Sequence, residues 1–210
     1  MRLFLSLIFL SVACHSQPIT VGVKGAVRVT SDLDGIGISE TKRFLYGPMV
    51  EVRLPFRFAI EADALYNRFG YTQTYSSSAG GVFTFFTERI VANSWEFPLL
   101  LKYRLPLRVV HPYLSFGYAP RHSSGRVDFS SVTLGGPYAS SGPKTFPSDH
   151  AWIVGGGVRL PLGPFSVSPE IRYLHWNDSL VYFYRGGPGY DSVVPQNEAQ
   201  VLVGFGWGGK

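Results

Sequence analysis

The chain is 210 residues long, with 16% charged and 15% aromatic residues, 24 Gly and 15 Pro. An ordinary soluble domain carries about 25% charge, so this balance describes one turn-rich all-β domain with an unusually apolar surface. The formal charge of +5 is scattered, with no run of Lys and Arg longer than two, which excludes a nucleic-acid patch. Beyond the N-terminus no apolar stretch is long enough for a membrane-crossing helix.

The N-terminus reads as an export signal. Met1-Arg2 supplies the positive start, Leu3 to Ala13 the apolar run, and small residues follow to Ser16, the order of a secretory signal peptide. Cleavage is expected after Ser16 or Gln17, giving a signal over 1–16 and one barrel domain over 17–210. Cys14 is the sole cysteine, so cleavage at Ser16 leaves a mature chain without a thiol. Val12-Ala13-Cys14 also resembles the end of a lipobox, although Ser11 stands where that motif takes Leu. Lipidation of Cys14 therefore stays open.

From Ile19 onward the dominant signal is period 2, the mark of a strand with two unlike faces. In 19–29, Ile19, Val21, Val23, Val27 and Val29 share one face, opposite Thr20, Lys24 and Arg28. In 45–54, Val50, Val52 and Leu54 oppose Glu51 and Arg53. In 58–69, Ile60, Ala62, Ala64 and Tyr66 oppose Glu61, Asp63 and Asn67. The segment 94–105 puts Trp95, Phe97, Leu99, Leu101, Tyr103 and Leu105 on one face. Its length matches the roughly 9–11 residues that a tilted strand needs to cross a bilayer, and its apolar face has aromatics near both ends. Segments 110–120 and 151–160 follow. In 165–176, Val167, Ile171 and Tyr173 oppose Ser168, Glu170 and Arg172. In 197–207, Val201, Val203, Phe205 and Trp207 oppose Gln200, Leu202, Gly204 and Gly206.

Eight strands result, and their connections alternate in length. Residues 55–57, 106–109 and 161–164 are tight and Pro-rich, whereas 30–44, 70–93, 121–150 and 177–196 are long, polar and rich in Gly and Ser. Short turns at one end and long loops at the other are the layout of an outer-membrane barrel. Arg-Leu-Pro recurs at 53–55, 104–106 and 159–161, each time where a strand enters a short turn; these copies read as repeated hairpins.

With the apolar face outward, the inner face holds Lys24, Arg28, Arg53, Lys102, Arg104, Arg159 and Arg172 with Glu51, Glu61, Asp63, Glu96, Glu170 and Glu198. An eight-stranded barrel is only wide enough for side chains to fill, so these charges are expected to pair into a salt-bridged core. A proton or ion path is the other reading, and a wide pore is excluded by strand number.

The segments Trp95-Glu96-Phe97-Pro98-Leu99-Leu100-Leu101-Lys102-Tyr103 and Pro169-Glu170-Ile171-Arg172-Tyr173, with the Arg-Leu-Pro turns and Pro112-Tyr113-Leu114, resemble the small outer-membrane β-barrel domain proteins of Gram-negative bacteria. OmpA-like and OmpX-like barrels are broader relatives. The resemblance implies a closed eight-stranded antiparallel up-and-down transmembrane barrel, reached through a signal peptide and the barrel-assembly machinery. It further implies contact with outer-membrane lipid and lipopolysaccharide, and an extracellular partner for the loops. Such barrels often end on an aromatic residue; here Phe205 and Trp207 are followed by Gly208-Gly209-Lys210.

No catalytic, cofactor or metal site is assigned. His122-Ser123-Ser124 is similar to the His-x-Ser of an outer-membrane lipid A deacylase, with Asp128 the nearest acid, but Gly125-Arg126 departs from that enzyme's signature. His111, His122, His150 and His175 lack ligand spacing. Gly155-Gly156-Gly157 is no phosphate loop, since no Lys-Ser/Thr follows it, and instead suits tight curvature. Tyr75, Phe83, Phe85 and Phe86 either extend a hairpin or form a contact surface. The expected function is structural or surface-interacting, with a lipid A deacylase-like enzyme and a secreted lipocalin-like carrier of small apolar ligands as alternatives.

Overall fold

Alternating β-branched and aromatic residues form strands because such side chains pack well on a pleated surface, and in the computed structural model of the protein those strands close on themselves. Residues 19–31, 38–107, 110–177, 182–183, 192–193 and 196–208 are described; the signal segment and Cys14 lie outside them. The barrel strands among them are β1 (Ile19–Arg28), β2 (Phe44–Arg53), β3 (Phe58–Asp63 and Leu65–Ala79) and β4 (Val82–Glu96 and Leu99–Arg104). They continue with β5 (His111–Thr133), β6 (Gly136–Thr145 and Asp149–Leu162), β7 (Phe165–Trp176) and β8 (Asn197–Gly208). Each pairs antiparallel with the next, and β8 pairs with β1 to close the ring. One short strand at Ile38–Ser39 and a separate hairpin of Tyr182–Phe183 with Ser192–Val193 lie among the long connections.

The register sets the barrel's size. Following direct partners from Ile19 leads through Val52, Ile60, Leu101, Phe116, Val154, Tyr173 and Ala199. Ala199 then accepts a bond from the N–H of Val29, not Ile19, a stagger of ten residues over eight strands. With about 3.3 Å of rise per residue and about 4.8 Å between strands, the strands tilt about 41° and the backbone radius is about 8 Å. Side chains fill such a cylinder. Several glycines let neighbouring strands approach closely: a Cβ on Gly47 would lie 1.7 Å from the Ala64 carbonyl oxygen, and one on Gly117 2.2 Å from that of Leu99. In Gly155-Gly156-Gly157, a Cβ on Gly157 would meet the Pro169 oxygen at 2.5 Å, so a close approach of the neighbouring strand requires glycine there.

Two of the long connections differ from the expectation. Residues 70–93 and 121–150 are not loops but ladder: β3 pairs with β4 as far as Ala79 and Val82, and β5 with β6 as far as Thr133 and Gly136. The apolar alternation fades there because these stretches carry Ser and Thr, so the period-2 signal is weak. A β-bulge adds a second cause. Ser124 pairs with Thr145 while Arg121 pairs with Asp149, so β6 has one extra residue and its inward phase switches from even to odd numbers. In 94–105, Pro98 lacks an N–H and interrupts the ladder at Phe97-Pro98, yet the register either side is the same, Leu65 with Glu96 and Ala62 with Leu99.

The turn from β2 to β3 holds Phe56 at φ 58° and Arg57 at φ 70°. Left-handed backbone costs a non-glycine residue about 1–2 kcal/mol, and Arg57 is exposed. Arg57→Gly is therefore expected to stabilise the barrel by about 1 kcal/mol, read as a higher urea midpoint in micelles; a lower midpoint would mean that the arginine side chain holds the turn.

Candidate functional site

The two faces of the barrel wall have opposite chemistry. Outward positions from Ile19 to Val29, Phe44 to Val52, Ile60 to Tyr66, Trp95 to Leu105, Leu114 to Pro120, Trp152 to Leu162, Phe165 to His175 and Val201 to Trp207 carry no Asp, Glu, Lys or Arg. Leu114 is 61% and Trp152 55% exposed, while inward Glu61 and Arg172 are each 1% exposed. Aromatic residues bracket this apolar surface. Near the long-hairpin end Tyr46, Tyr66, Trp95 and Phe97 form a chain of ring contacts, and Tyr118, Trp152 and Phe116 another. At the short-turn end stand Phe58 with Tyr103, then Phe165, Phe205 and Trp207. Trp95 and Tyr103 are eight residues apart on β4, about 20 Å along the axis at the tilt above.

The inner face is ionic at mid-height. Arg172 donates through Nε to Glu170 Oε1 at 2.7 Å, through Nη1 to Asp63 Oδ2 at 2.8 Å and through Nη2 to Glu61 Oε1 at 2.8 Å. Lys24 Nζ bonds Glu61 and lies 3.2 Å from Asp63 and 3.4 Å from Glu170. Lys102 Nζ donates to Glu61 Oε2 at 2.6 Å and sits 4.2 Å over the Tyr113 ring. Tyr113 and Ser115 hydroxyls donate to Glu170 at 3.1 and 3.2 Å. Three cations thus interlock with three carboxylates, a neutral knot.

A second tier lies toward the long hairpins. Arg28 donates to Glu198 at 2.6 Å, Glu96 at 2.5 Å and Asn67 at 3.2 Å. Gln200 donates to Glu198 at 2.6 Å, and Trp176 Nε1 to the same carboxylate at 3.2 Å. Arg121 pairs with Asp149 at 2.7 Å and stacks 3.5 Å over Trp176. Sequence reasoning placed Arg121 and Asp149 in a loop and so missed both; their pairing depends on the bulge at 146–148. A third tier, at the short-turn end, gathers Arg53, Arg104 and Arg159 around Glu51, with Arg159 Nη1 donating to Glu51 at 2.6 Å.

Above the second tier the polarity of the wall reverses. On β3 the inward residues change from Glu61, Asp63 and Asn67 to Phe69 and Tyr71, which pack with Ile90, Ala92 and Phe146. Outward residues change from Ile60, Ala62 and Tyr66 to Arg68, Thr72 and Thr74. Outside this upper section Glu40 takes a bond from Arg89 at 2.6 Å and one from Thr72 at 3.0 Å; these bonds hold its carboxyl below the usual range. Toward the tip Tyr75 stacks on Phe86, whereas Phe83 and Phe85 stand exposed, Phe85 opposite Val132. The four aromatics therefore lie on an extended hairpin.

His122 and Ser124 are both exposed on the outer face of β5, but among the described residues no hydrogen bond joins them to each other or to Asp128, which accepts from Ser141 Oγ at 2.5 Å. His175 Nδ1 lies 2.8 Å from Asn197 Oδ1, and His150 packs on Tyr118. Among the described residues no cluster of His, Cys, Asp and Glu could hold a metal ion, and no helix is long and apolar enough to cross a membrane.

No protein-family model and no curated protein matches the chain. Among solved structures it is similar to Neisserial surface protein A, at 13% identity over 90% of this chain and 96% of that one, with a TM-score of 0.47. It is also similar to the N-terminal β-barrel domain of Pseudomonas aeruginosa OprF (11% identity, 91% and 98% covered, TM-score 0.41). A third is Ail, the attachment invasion locus protein of Yersinia pestis (12% identity, 92% and 99% covered, TM-score 0.37).

Removing one partner of a buried ionic cluster strands the others and costs about 3–5 kcal/mol. Arg172→Met is expected to lower unfolding free energy by about that amount, and adding Glu170→Gln should restore part of it. Reversible urea unfolding in lipid vesicles measures both; a loss below about 1 kcal/mol for Arg172→Met would show that water, not the carboxylates, solvates this guanidinium.

Proposed function

We propose that this chain is an integral outer-membrane protein whose closed barrel serves as a structural element and presents long hairpins to the exterior. The reversal of wall polarity along β3 carries this reading. A strand that is apolar outside and ionic inside, then apolar inside and polar outside a few residues later, has crossed from one solvent to another. The aromatic-bounded apolar surface, about 20 Å high, compares with the roughly 25 Å band of outer-membrane barrels. Closure supports the same conclusion, because a spanning sheet must satisfy every backbone group without water.

The ionic tiers fill the lumen and leave the barrel without a diffusive channel. The long hairpins carry the contact function: Phe83 and Phe85 on the β3–β4 hairpin and Val132 and Leu134 on the β5–β6 hairpin stand exposed, a surface suited to an extracellular partner. Outer-membrane lipid and lipopolysaccharide surround the wall, and the barrel-assembly machinery inserts it. The carrier alternative requires an apolar interior, whereas mid-height here holds Lys24, Lys102 and Arg172 with their carboxylates. The deacylase alternative requires His122 to activate Ser124, and no hydrogen bond links them among the described residues.

In fractionated cells the protein should sit with the outer membrane, and its unboiled form should migrate differently from the boiled form on a denaturing gel. Purified protein should add no steady conductance to planar bilayers. Accumulation in the soluble periplasm without a gel shift contradicts the proposal.

A further inference from the structure

The three Arg-Leu-Pro repeats have a spatial consequence. Arg53 on β2, Arg104 on β4 and Arg159 on β6 all point into the lumen at the short-turn mouth. Residues facing them from the other strands are Thr20 on β1, Ala59 on β3, His111 on β5, Ser166 on β7 and Gly206 on β8. Glu51 is the only acid of this tier among the described residues. Arg159 donates to it at 2.6 Å, and Arg53 Nε and Lys102 Nζ lie 3.9 and 3.8 Å away. Lys102 is already balanced within the neutral knot above, so three guanidiniums face one carboxylate and two positive charges remain.

These charges are also short of acceptors. Arg104 donates to the Phe58 carbonyl at 3.2 Å and Arg159 to Thr20 Oγ1 at 3.1 Å. Among the described residues the buried Nε groups of Arg53 and Arg104 have no hydrogen-bond acceptor. Both Arg104 and Arg159 act repulsively on Arg53. Like charges crowded together at a half-buried mouth cost stability unless an opposite charge joins them. The knot of Lys24, Lys102 and Arg172 obstructs the lumen above, so that charge must arrive from the short-turn side.

We propose that the short-turn mouth is a binding site for a phosphate dianion, either free phosphate or a soluble phosphate monoester, held by Arg53, Arg104 and Arg159. The ligand's two negative charges match the excess. Guanidinium forks suit a tetrahedral oxyanion because each can donate two parallel bonds to it. Glu51 is the built-in competitor: it occupies Arg159 and repels the incoming anion.

The test is calorimetric titration of the full barrel in a maltoside detergent, with inorganic phosphate in one arm and glycerol phosphate in the other. Saturable one-to-one binding is expected in at least one arm; preference between them tells free ion from monoester. Arg53→Gln with Arg104→Gln should weaken binding at least about tenfold, because two charge-assisted bonds to the anion are lost. Glu51→Gln should bind more tightly than the natural chain, an effect that a purely structural role for the arginines does not produce. Absence of saturable binding in both arms, equal affinity in the double variant, or weaker binding in Glu51→Gln would each overturn the proposal. If the double variant fails to fold, the Glu51→Gln comparison still decides.

Discussion

Closure of the sheet between β1 and β8 governs the rest of the molecule. With a ten-residue stagger around eight strands, the wall encloses a cylinder that side chains must fill, and every alternate residue of every strand points into it. What fills it at mid-height is a neutral set of three cations and three carboxylates centred on Arg172 and Glu61. Each member is costly to bury alone, but together they satisfy one another's charges and most of their hydrogen bonds. The apolar side chains that would form the core of a soluble protein are displaced to the outside, where Leu114, Phe116, Trp152 and Val154 stand exposed.

The same strands run on past this ionic section, and their faces exchange roles. Phe69, Tyr71, Ile90, Ala92 and Phe146 form a small ordinary core inside the extended hairpins, with Arg68, Thr72 and Arg89 outside. One chain therefore contains two solvent regimes stacked along one axis. The bulge at 146–148 joins them: it turns Phe146 inward above and Asp149 inward below, so one strand can serve both.

Much of this architecture was legible in the sequence. The periodic segments 19–29, 45–54, 165–176 and 197–207 correspond within a residue or so to Ile19–Arg28, Phe44–Arg53, Phe165–Trp176 and Asn197–Gly208. A one-sided apolar face leaves a strong period-2 trace. The upper hairpins left a weaker one, because a Ser- and Thr-rich outer surface offers little contrast and the bulge shifts the phase. Arg121 and Asp149 were lost with them. Which lumenal charges meet was also beyond the sequence, since Arg172 reaches Asp63 and Glu61 across the barrel and that depends on stagger. The three Arg-Leu-Pro copies were visible as a repeat, but their convergence on one carboxylate is a property of the closed ring.

If the barrel spans a bilayer, its apolar face meets lipid and its charged face does not, and the native tryptophans can read this directly. Trp152 points outward and is 55% exposed, whereas Trp176 points inward and is 1% exposed. Two variants, each keeping one of these residues and carrying Phe at the other tryptophan positions, would be reconstituted in vesicles whose acyl chains are brominated. Strong quenching of Trp152 with Trp176 protected is the predicted result. Quenching of Trp176 with Trp152 spared, or no quenching of either, would contradict the account.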